Sequence, residues 1–338
     1  MKKVLLLTLC FAAILSCKNS DIEYEDYDFS SAYFPYQYPV RTLVLGDYIY
    51  DNTNDNNHKF LIYAAIGGLY SNKSDRVINF KVDQTLCERA LFEGSKDTIR
   101  FMPSHYYQLN SPDKVVIPSG KFNGAIEVQL NDAFFQDTLA IKLGYVIPMR
   151  LTGSNDVDSI LQGMSASEEK PDPRDKKKWE VLPKNFTMFA IKYINEFHGS
   201  YLYYGKNKVK DLSGNVVEEN VYSEKYVEKN PVVKLVTTGR YQVAMNTFFN
   251  SQKITGSFGM LLDFDGKNCT LSAPKGSAYE VTGTGVFQEK KYNWGNKDRD
   301  GIEIHYTIKN GDWTYEANDV LVMRDRGVVM ELFSPVLY

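Results

Sequence analysis

The chain has 338 residues, a net charge of −3 at pH 7 and 14% aromatic residues, among them 24 tyrosines. This length predicts about two domains, and a chain without a basic block or a basic–aromatic stripe is not expected to bind nucleic acid. Its four cysteines are too few for the disulfide scaffold of a small secreted domain.

The first 16 residues have the pattern of a secretory signal. Lys2 and Lys3 precede an apolar run, Val4 to Leu15, which is shorter than the roughly 20 residues that span a bilayer. The letters ILSC that end at Cys17 resemble the lipobox of bacterial lipoproteins. This resemblance implies acylation of Cys17 and a stable anchor in the outer membrane. The acidic residues of the predicted tether, 17–31, resemble the export tags of surface-exposed lipoproteins in Bacteroidetes.

The first half of the chain after this tether consists mainly of predicted strands. Short β-branched and aromatic runs are separated by turn clusters: TLVLGDYIY, KFLIYAAIG, RVINFKV, KVVIP, AIEVQL and LAIKLGYVIPMRL. Only QTLCERALFEG, residues 84–94, predicts a helix, which would end at glycine. We expect an immunoglobulin-like antiparallel β-sandwich over residues 32–163.

A charged segment separates the two halves. Ten of the sixteen residues from Ser165 to Glu180 are charged, and two more are Pro171 and Pro173, so this stretch is not expected to bury a core. We predict a linker, or an exposed excursion between domains, over residues 164–184.

The second half reads as eight or nine antiparallel strands about ten residues apart, such as FTMFAIKYI, YQVAMNTF, GIEIHYTI and VLVMRD. Closure into an up-and-down barrel would remove the exposed edges of such a sheet. We therefore expect a calycin/lipocalin-like antiparallel β-barrel over residues 185–338, and an all-β protein as a whole.

Several long segments resemble a known family. YFPYQYPVRTLVLGDYIYDN and HKFLIYAAIGGLYSNKSDRVINFKVD are similar to the N-terminal domain of uncharacterised Bacteroidetes surface lipoproteins from polysaccharide-utilisation loci. FTMFAIKYINEFHGSYLYYG and RDRGVVMELF are similar to the calycin-like barrel that follows it. The resemblance implies a place beside outer-membrane transporter components and a glycan as ligand, and it carries no catalytic residue.

Aromatic residues are the best candidates for ligand binding, because flat rings with a polar edge suit the apolar faces of sugars. Trp294 and Trp313 lie at predicted strand ends, and we expect them close together on one rim of the barrel. Tyr201 and Tyr203 share one strand face, opposite Tyr204. The alternative is that these rings fill the barrel or brace its ends.

No sequence pattern predicts catalysis, a metal ion or a cofactor. The four histidines have no metal-ligand spacing and no G-x-S-x-G elbow occurs. NKDRDG, Asn296 to Gly301, fits half of a calcium loop, but the twelfth position is Thr307 instead of glutamate, and we predict a polar hairpin turn. Cys87 and Cys269 are predicted to be two separate buried thiols, with one long-range disulfide as the alternative.

Three short triplets resemble the O-glycosylation pattern of exported Bacteroidetes proteins, with Thr98, Thr138 and Ser159 as acceptors. Taken together, the sequence predicts a surface-anchored, non-catalytic glycan-binding lipoprotein of a polysaccharide-uptake system. The alternatives are a structural or adhesin-like subunit that binds a partner protein, and a carrier that holds a small apolar ligand in the barrel cavity.

Overall fold

The computed structural model describes residues 27–165 and 170–338, and most regular structure in them is β-strand. Cys17, the signal and most of the predicted tether lie outside the described residues. Within the described ranges, no helix has both the length and the apolarity needed to cross a membrane.

Fourteen strands and two short helices precede the barrel. The strands are β1 (Ser31–Tyr33), β2 (Pro39–Val44), β3 (Lys59–Gly67), β4 (Arg76–Val82), β5 (Ala90–Phe92), β6 (Arg100–Phe101), β7 (Tyr107–Leu109), β8 (Lys114–Ile117), β9 (Asn123–Leu130), β10 (Tyr145–Gly153), β11 (Ser159–Ile160), β12 (Met164–Ser165), β13 (Trp179–Val181) and β14 (Phe186–Ile194). The helices are α1 (Thr53–Asn56) and α2 (Asp132–Gln136).

The remaining strands form the barrel and a C-terminal tail. They are β15 (Gly199–Lys210), β16 (Val216–Tyr222), β17 (Val232–Gly239), β18 (Gln242–Phe248), β19 (Ser257–Asp265), β20 (Asn268–Ser272), β21 (Glu280–Trp294), β22 (Lys297–Asn310), β23 (Trp313–Asp325), β24 (Glu331–Leu332) and β25 (Pro335–Leu337). Five 3₁₀ turns complete the described elements: Gln84–Cys87, Ser104–Tyr106, Thr138–Ile141, Lys176–Lys178 and Val227–Lys229.

Two sheets face each other in the N-terminal half and confirm the predicted sandwich. One has the order β11-β1-β3-β9-β7, and the other has the order β24-β2-β14-β10-β4-β8, with β6 beside β10. β9 shows the alternation expected of a half-buried strand, because Ile126, Val128 and Leu130 are buried and their neighbours are not. The sheets are mixed, since β14 runs parallel to β2 and β1 runs parallel to β11.

The barrel confirms the second predicted fold. β15 and β17 to β23 form a continuous antiparallel sheet that closes because β23 pairs with β15 over eleven residue pairs, from Ser200↔Asp325 to Lys210↔Thr314. β16 lies outside the closed sheet and pairs only with β15. Closure removes the unpaired edges that an open sheet of this size would expose.

The boundary between the two domains differs from the predicted one. We predicted that the barrel begins at residue 185, but Phe186–Ile194 pairs with β10 and β2 and therefore belongs to the sandwich. The last two strands, after Asp325, also return to the sandwich, where β24 pairs with β2 and β25 with β5. An apolar strand pattern does not identify which sheet the strand joins, and for this reason the sequence misplaced β14.

The charged segment 164–184 is not a linker between domains. It connects the antiparallel neighbours β10 and β14 of one sheet, and its described part packs on the sandwich. The Arg174 guanidinium donates to the carbonyl oxygens of Leu86 at 2.9 Å and Glu88 at 2.6 Å, and it pairs with Asp172 at 2.6 Å. Backbone carbonyls offered by the sandwich thus stabilise a stretch that lacks an apolar core.

The predicted helix at residues 84–94 is also wrong. Gln84–Cys87 forms one 3₁₀ turn, Arg89 has a φ of +50°, and Ala90–Phe92 is a strand. This strand pairs with Pro335–Leu337 at the other end of the chain. A partner distant in sequence therefore overrides the local helical preference.

Candidate functional site

The tyrosines predicted to bind ligand are part of the barrel core. Tyr201 and Tyr203 do share one strand face, but that face points inward, and their exposed fractions are 0% and 2%. Tyr204 lies on the opposite, outer face and is half-buried. The predicted role of Tyr201 and Tyr203 in ligand binding is therefore wrong, since the closed barrel covers the face they occupy, and the alternative that these rings fill the barrel is confirmed.

The two tryptophans lie at opposite ends of the barrel. Trp294 pairs with Lys297 at the start of β22, and Trp313 pairs with Asn310 at its end. The 14 residues of that strand place the two about 40 Å apart. The expectation that they share one rim is wrong, because successive hairpin turns of an up-and-down barrel alternate between its two ends.

Side chains fill the barrel interior around a buried carboxylate. Asp319 is 1% exposed and accepts hydrogen bonds from the hydroxyls of Tyr203 at 2.9 Å, Tyr306 at 2.7 Å and Tyr222. Burial raises the pKa of Asp319 to about 6, although the three tyrosine donors oppose this rise. Gly205 makes room for the carboxylate, because a Cβ atom there would overlap Asp319 Oδ1.

A cleft of about 610 Å³ lies where the sandwich meets the barrel. Its walls are the loop after β2, the tip of the β21–β22 hairpin and the segment that follows β23: residues 47–50, 297–300 and 323–329, with Lys290. Ligand sites occur preferentially at such junctions between domains. Described residues from three separate parts of the chain thus converge on this one concave surface.

Two aromatic rings form the sandwich side of the cleft, with Tyr50 exposed and Tyr48 half-buried. Tyr48 and Tyr50 lie in an edge-to-face arrangement with ring centroids 5.6 Å apart, and the exposed fraction of Tyr50 is 69%. Ile49 between them is 72% exposed. Water contacts these apolar faces in the free protein, so a ligand with an apolar face gains free energy by covering them.

Gly46 allows the loop that carries these rings to approach the barrel. Its φ is +84°, and a Cβ atom there would overlap Glu196, so only glycine fits both the conformation and the contact. Asn52 then holds the loop, since its Nδ2 atom donates to the carbonyl oxygens of Val44 at 2.8 Å and Gly46 at 2.7 Å. The two rings therefore stand on an ordered support.

Arg326 joins the two domains beneath the cleft. Its guanidinium is buried and donates to the carbonyl oxygens of Asp47 at 2.9 Å, Leu45 at 3.0 Å and Asn195 at 2.6 Å. A forked donor of this kind satisfies several carbonyls that no water reaches. Arg326 therefore contributes to the relative position of the two walls.

Charged groups form the barrel side of the cleft. Arg299 lies 4.3 Å from the ring of Trp294, which is a favourable cation–π geometry. The Trp294 indole itself donates to the carbonyl oxygen of Met323 at 3.2 Å, and Lys290 pairs with Asp47 across the junction at 3.4 Å. Trp294 is thus half-buried behind this wall, and it supports the site through Arg299.

The candidate calcium loop is a tight hairpin turn. Gly295 and Asn296 have φ values of +61° and +56°, and Trp294 pairs directly with Lys297, which is the geometry of a two-residue hairpin turn. No group of three or more histidine, cysteine, aspartate or glutamate residues in the described ranges is placed to hold a metal ion. A polar hairpin turn is present, but it is shorter and earlier than predicted, because only Asn296 of the predicted stretch lies in it and residues 297–301 belong to β22.

A second concave surface of about 510 Å³ lies on the outer face of the barrel. Tyr204, Lys206 and His305 contribute to it, and His305 Nδ1 is 2.8 Å from Asn318 Oδ1. Tyr204 is half-buried, so this groove presents less exposed ring surface than the cleft. For this reason we take the cleft as the candidate functional site.

Sequence reasoning missed the cleft because it assigned Tyr48 and Tyr50 to a strand, TLVLGDYIY. β2 ends at Val44, and the following residues form a loop. The pair Gly46-Asp47 inside that run was a usable signal, since glycine and aspartate are depleted in strands and common in turns.

The prediction that Cys87 and Cys269 are separate buried thiols is confirmed, and O-glycosylation stays a prediction. Cys87 and Cys269 are both free and buried, one in the sandwich and one in the barrel. Among the proposed acceptors, Thr98 and Thr138 are exposed, whereas Ser159 is half-buried with its hydroxyl 3.2 Å from that of Ser31.

Two family models match the chain. One, described as an N-terminal domain, matches residues 25–158, and the other, a domain of unknown function (DUF5627), matches residues 196–327. The chain is similar to a protein of unknown function from Bacteroides ovatus, whose crystal structure superimposes with a TM-score of 0.86. The two are 34% identical over 93% of this chain and 100% of that one. These matches fit a protein of the Bacteroidetes.

Two further Bacteroides ovatus structures are much less similar. A multidomain protein that includes DUF1735 is 12% identical, with a TM-score of 0.43 over 88% of this chain and 94% of that one. A protein proposed to bind carbohydrate is also 12% identical, with a TM-score of 0.29 over 90% of this chain and 99% of that one. TM-scores this low do not show a shared fold, so neither protein bears on the function of this chain. No curated protein matches the chain.

Proposed function

The chain belongs to the same family as the Bacteroides ovatus protein that it matches at 34% identity, and from the chemistry of its cleft we propose that it is a non-catalytic glycan-binding protein. The site is the cleft between the sandwich and the barrel. The observation that carries the proposal is the ring pair Tyr48 and Tyr50, of which Tyr50 is exposed and Tyr48 half-buried, beside a wall of charged side chains.

The chemistry of the cleft suits a sugar. A pyranose ring has apolar C–H faces that stack on aromatic rings and a rim of hydroxyls that form hydrogen bonds. Tyr50 offers such a ring, while Asp298, Arg299 and Asp300 on the opposite wall offer charged acceptors and donors. Charge-assisted hydrogen bonds to hydroxyls are stronger than neutral ones. The rings on one wall can therefore contact the apolar face of a sugar, while the polar groups on the other wall form hydrogen bonds with its hydroxyls.

The proposal includes a lipid anchor at Cys17, with the protein attached to the outer membrane and exposed at the cell surface. The described chain begins at Tyr27, ten residues beyond that cysteine, and such a stretch reaches about 33 Å when extended. A tether of this length would keep the protein near the membrane that holds outer-membrane transporter components. Replacing Cys17 by serine should release the protein into the soluble fraction or leave its precursor uncleaved.

Affinity electrophoresis and calorimetry against a broad panel of polysaccharides test the proposal. We expect retention by at least one polysaccharide, and we expect Tyr50→Ala to weaken that binding at least tenfold. Tyr226→Ala is the matched control, because Tyr226 is also exposed, at 49%, and lies on the loop between β16 and β17. Uniformly flat responses across the panel would refute glycan binding, and equal losses in both variants would refute the cleft as its site.

A second candidate function, attachment to a partner protein, has one specific observation in its favour. β16 forms an edge of the sheet outside the closed barrel, and its exposed valines are Val216 at 47%, Val217 at 39% and Val221 at 80%. Unpaired sheet edges with apolar side chains readily pair with other chains. Capture of a purified transporter component, lost in Val221→Lys and combined with no glycan retention, would favour this function.

The barrel does not resemble a carrier of apolar ligands. Inward-facing residues of the described strands pack against one another, and the barrel core includes the fully buried rings of Tyr201, Tyr306, Tyr315 and Phe197. The aromatic rings of Phe249, Phe258 and Tyr315 lie in mutual contact. A lipocalin-type carrier needs an interior that a ligand can occupy, and here side chains occupy it.

A further inference from the structure

The β21–β22 hairpin at the cleft separates its charges by face. Directly paired residues of two antiparallel strands lie on the same face of the sheet. The pairing joins Arg299 to Tyr292 and Lys297 to Trp294. Two cations and two aromatic rings therefore occupy one face of the hairpin. Asp298 alternates with them and lies on the other face.

The carboxylates around the cleft already have partners. Asp298 Oδ1 accepts a hydrogen bond from Asn293 Nδ2 at 2.9 Å, and Asp300 Oδ1 accepts one from the backbone N–H of Lys290 at 2.9 Å. Asp47 pairs with the Lys290 ammonium at 3.4 Å. These anions do not neutralise the cations on the first face of the hairpin.

The cations on that face, by contrast, are free. Among the described residues, no carboxylate lies within 4.0 Å of a charged nitrogen of Lys297 or Arg299. The Nε atom of Arg299 is also buried with no hydrogen-bond acceptor. A buried donor without an acceptor is unfavourable, so no group of the described protein satisfies this edge of the guanidinium.

Stacking prepares Arg299 for an anion. The central carbon of its guanidinium lies 4.3 Å from the centroid of the Trp294 ring, and this cation–π contact holds the group at the cleft wall. Planar guanidinium groups bind carboxylate and sulfate oxygens in a bidentate manner. Arg324 also lines the cleft, but it lies 3.8 Å from Asp325 and is therefore not one of the free cations.

We infer that the cleft selects an acidic glycan, and that Arg299 and Lys297 bind its anionic substituent while Tyr48 and Tyr50 cover its apolar face. The substituent is a uronate carboxylate or a sulfate ester, since each presents two adjacent oxygen atoms that can accept hydrogen bonds from one guanidinium. This inference rests on the proposed function, because it names the class of glycan for the same cleft.

The test compares the binding of acidic and neutral polysaccharides to the soluble protein that lacks residues 1–17. The acidic set is polygalacturonate, alginate, heparin and chondroitin sulfate, and the neutral set is starch, xylan, mannan and galactan. We expect retention by one or more acidic members only, and at least tenfold weaker binding when the sodium chloride concentration rises from 50 mM to 500 mM, because salt screens exposed charges.

Matched ligands locate the charge that is bound. If polygalacturonate is retained, its methyl ester should bind at least tenfold more weakly. If chondroitin sulfate is retained, comparison with unsulfated chondroitin distinguishes binding of the carboxylate from binding of the sulfate ester. Equal binding of both polymers assigns the contact to the carboxylate, and a loss without sulfate assigns it to the ester.

Substitutions of the two cations test whether these residues bind the ligand. Arg299→Gln and Lys297→Gln should each weaken binding of the retained acidic ligand about tenfold or more, and Lys114→Gln, at an exposed position on the sandwich strand β8, should not. Lys297 is exposed, so its substitution leaves the fold intact even if Arg299→Gln does not. If neutral polysaccharides are retained and both variants bind them as strongly as the wild type does, the inference is overturned. The proposed function would still stand. Retention by no member would overturn both.

Discussion

The hydroxyl of Tyr306 donates a hydrogen bond of 2.7 Å to the Oδ2 atom of Asp319 inside the barrel. The same carboxylate accepts further hydrogen bonds from Tyr203 and Tyr222. Both Tyr306 and Asp319 are almost fully buried, with exposed fractions of 0% and 1%, so water does not readily replace a lost donor. The barrel core is therefore organised around one polar centre.

Removal of one of these donors should destabilise the barrel. We expect Tyr306→Phe to lower the free energy of unfolding by about 1.5–3 kcal/mol, which is the usual contribution of a buried hydrogen bond to a charged acceptor. Urea denaturation measures this change. Tyr226→Phe, at an exposed position, should change the free energy by less than about 0.5 kcal/mol. Equal denaturation midpoints for Tyr306→Phe and the wild type would contradict the assigned role.

Asp319 should also make stability depend on pH. Burial raises its pKa from 3.8 to about 6 in the folded protein. Between about pH 4 and pH 6 the unfolded chain has released this proton while the folded chain retains it, so the contribution of Asp319 to stability falls as the pH rises through that window. Above about pH 6 the contribution becomes constant.

Urea denaturation of the wild type and of Asp319→Asn, at half-unit steps from pH 4 to pH 8, isolates this effect. The free energy of unfolding of the wild type minus that of the variant should decrease up to about pH 6 and then stay level. A difference that increases with pH in this window would show that the three tyrosine donors outweigh burial, and that the folded carboxyl has a lowered pKa.

Arg326 should control the rigidity of the junction as well as stability. Arg326→Met leaves the carbonyl oxygens of Asp47, Leu45 and Asn195 without their donor, and we expect a loss of about 2–4 kcal/mol in the free energy of unfolding. Limited proteolysis should then cut the loop at residues 45–52 faster. Arg324→Met is the control, because Arg324 is exposed and its substitution should leave the cleavage rate unchanged.

The two cysteines should be unreactive in the folded protein. Burial raises the pKa of both Cys87 and Cys269 to about 12, so little thiolate forms at pH 8, and thiolate is the reactive species. We expect a thiol reagent to label neither residue within an hour under native conditions and both within minutes in 6 M guanidinium chloride. Mass spectrometry counts the labels, and rapid native labelling of either cysteine would contradict its burial.

Much of the architecture could be predicted from local pattern. Alternation in AIEVQL identified a half-buried strand, and turn signals such as DFDGKN marked hairpins, since Asp265 pairs with Asn268 across a glycine with positive φ. These signals depend only on neighbours in sequence. The strand Phe186–Ile194 and the strand Ala90–Phe92 were misjudged, because their partners lie far away along the chain.

The candidate site was less accessible to sequence reasoning. Tyr201 and Tyr203 were correctly placed on one face of a strand, but only barrel closure decides that this face points inward. Likewise, Trp294 was placed correctly at a strand end, while its contact with Arg299 depends on the pairing of β21 with β22. A side chain's position along a strand is local information, and its exposure is not.

The amino-acid sequence by itself determined that this is an all-β protein of two domains, because strand periodicity and turn chemistry act over a few residues. It also predicted the two separate thiols, which are both buried and free. Only the tertiary structure decided which strands share a sheet, which rings fill the barrel and which remain exposed. It also created the cleft, because residues 47–50, 297–300 and 323–329 meet only when the tail after β23 crosses back to the sandwich and Arg326 binds both domains.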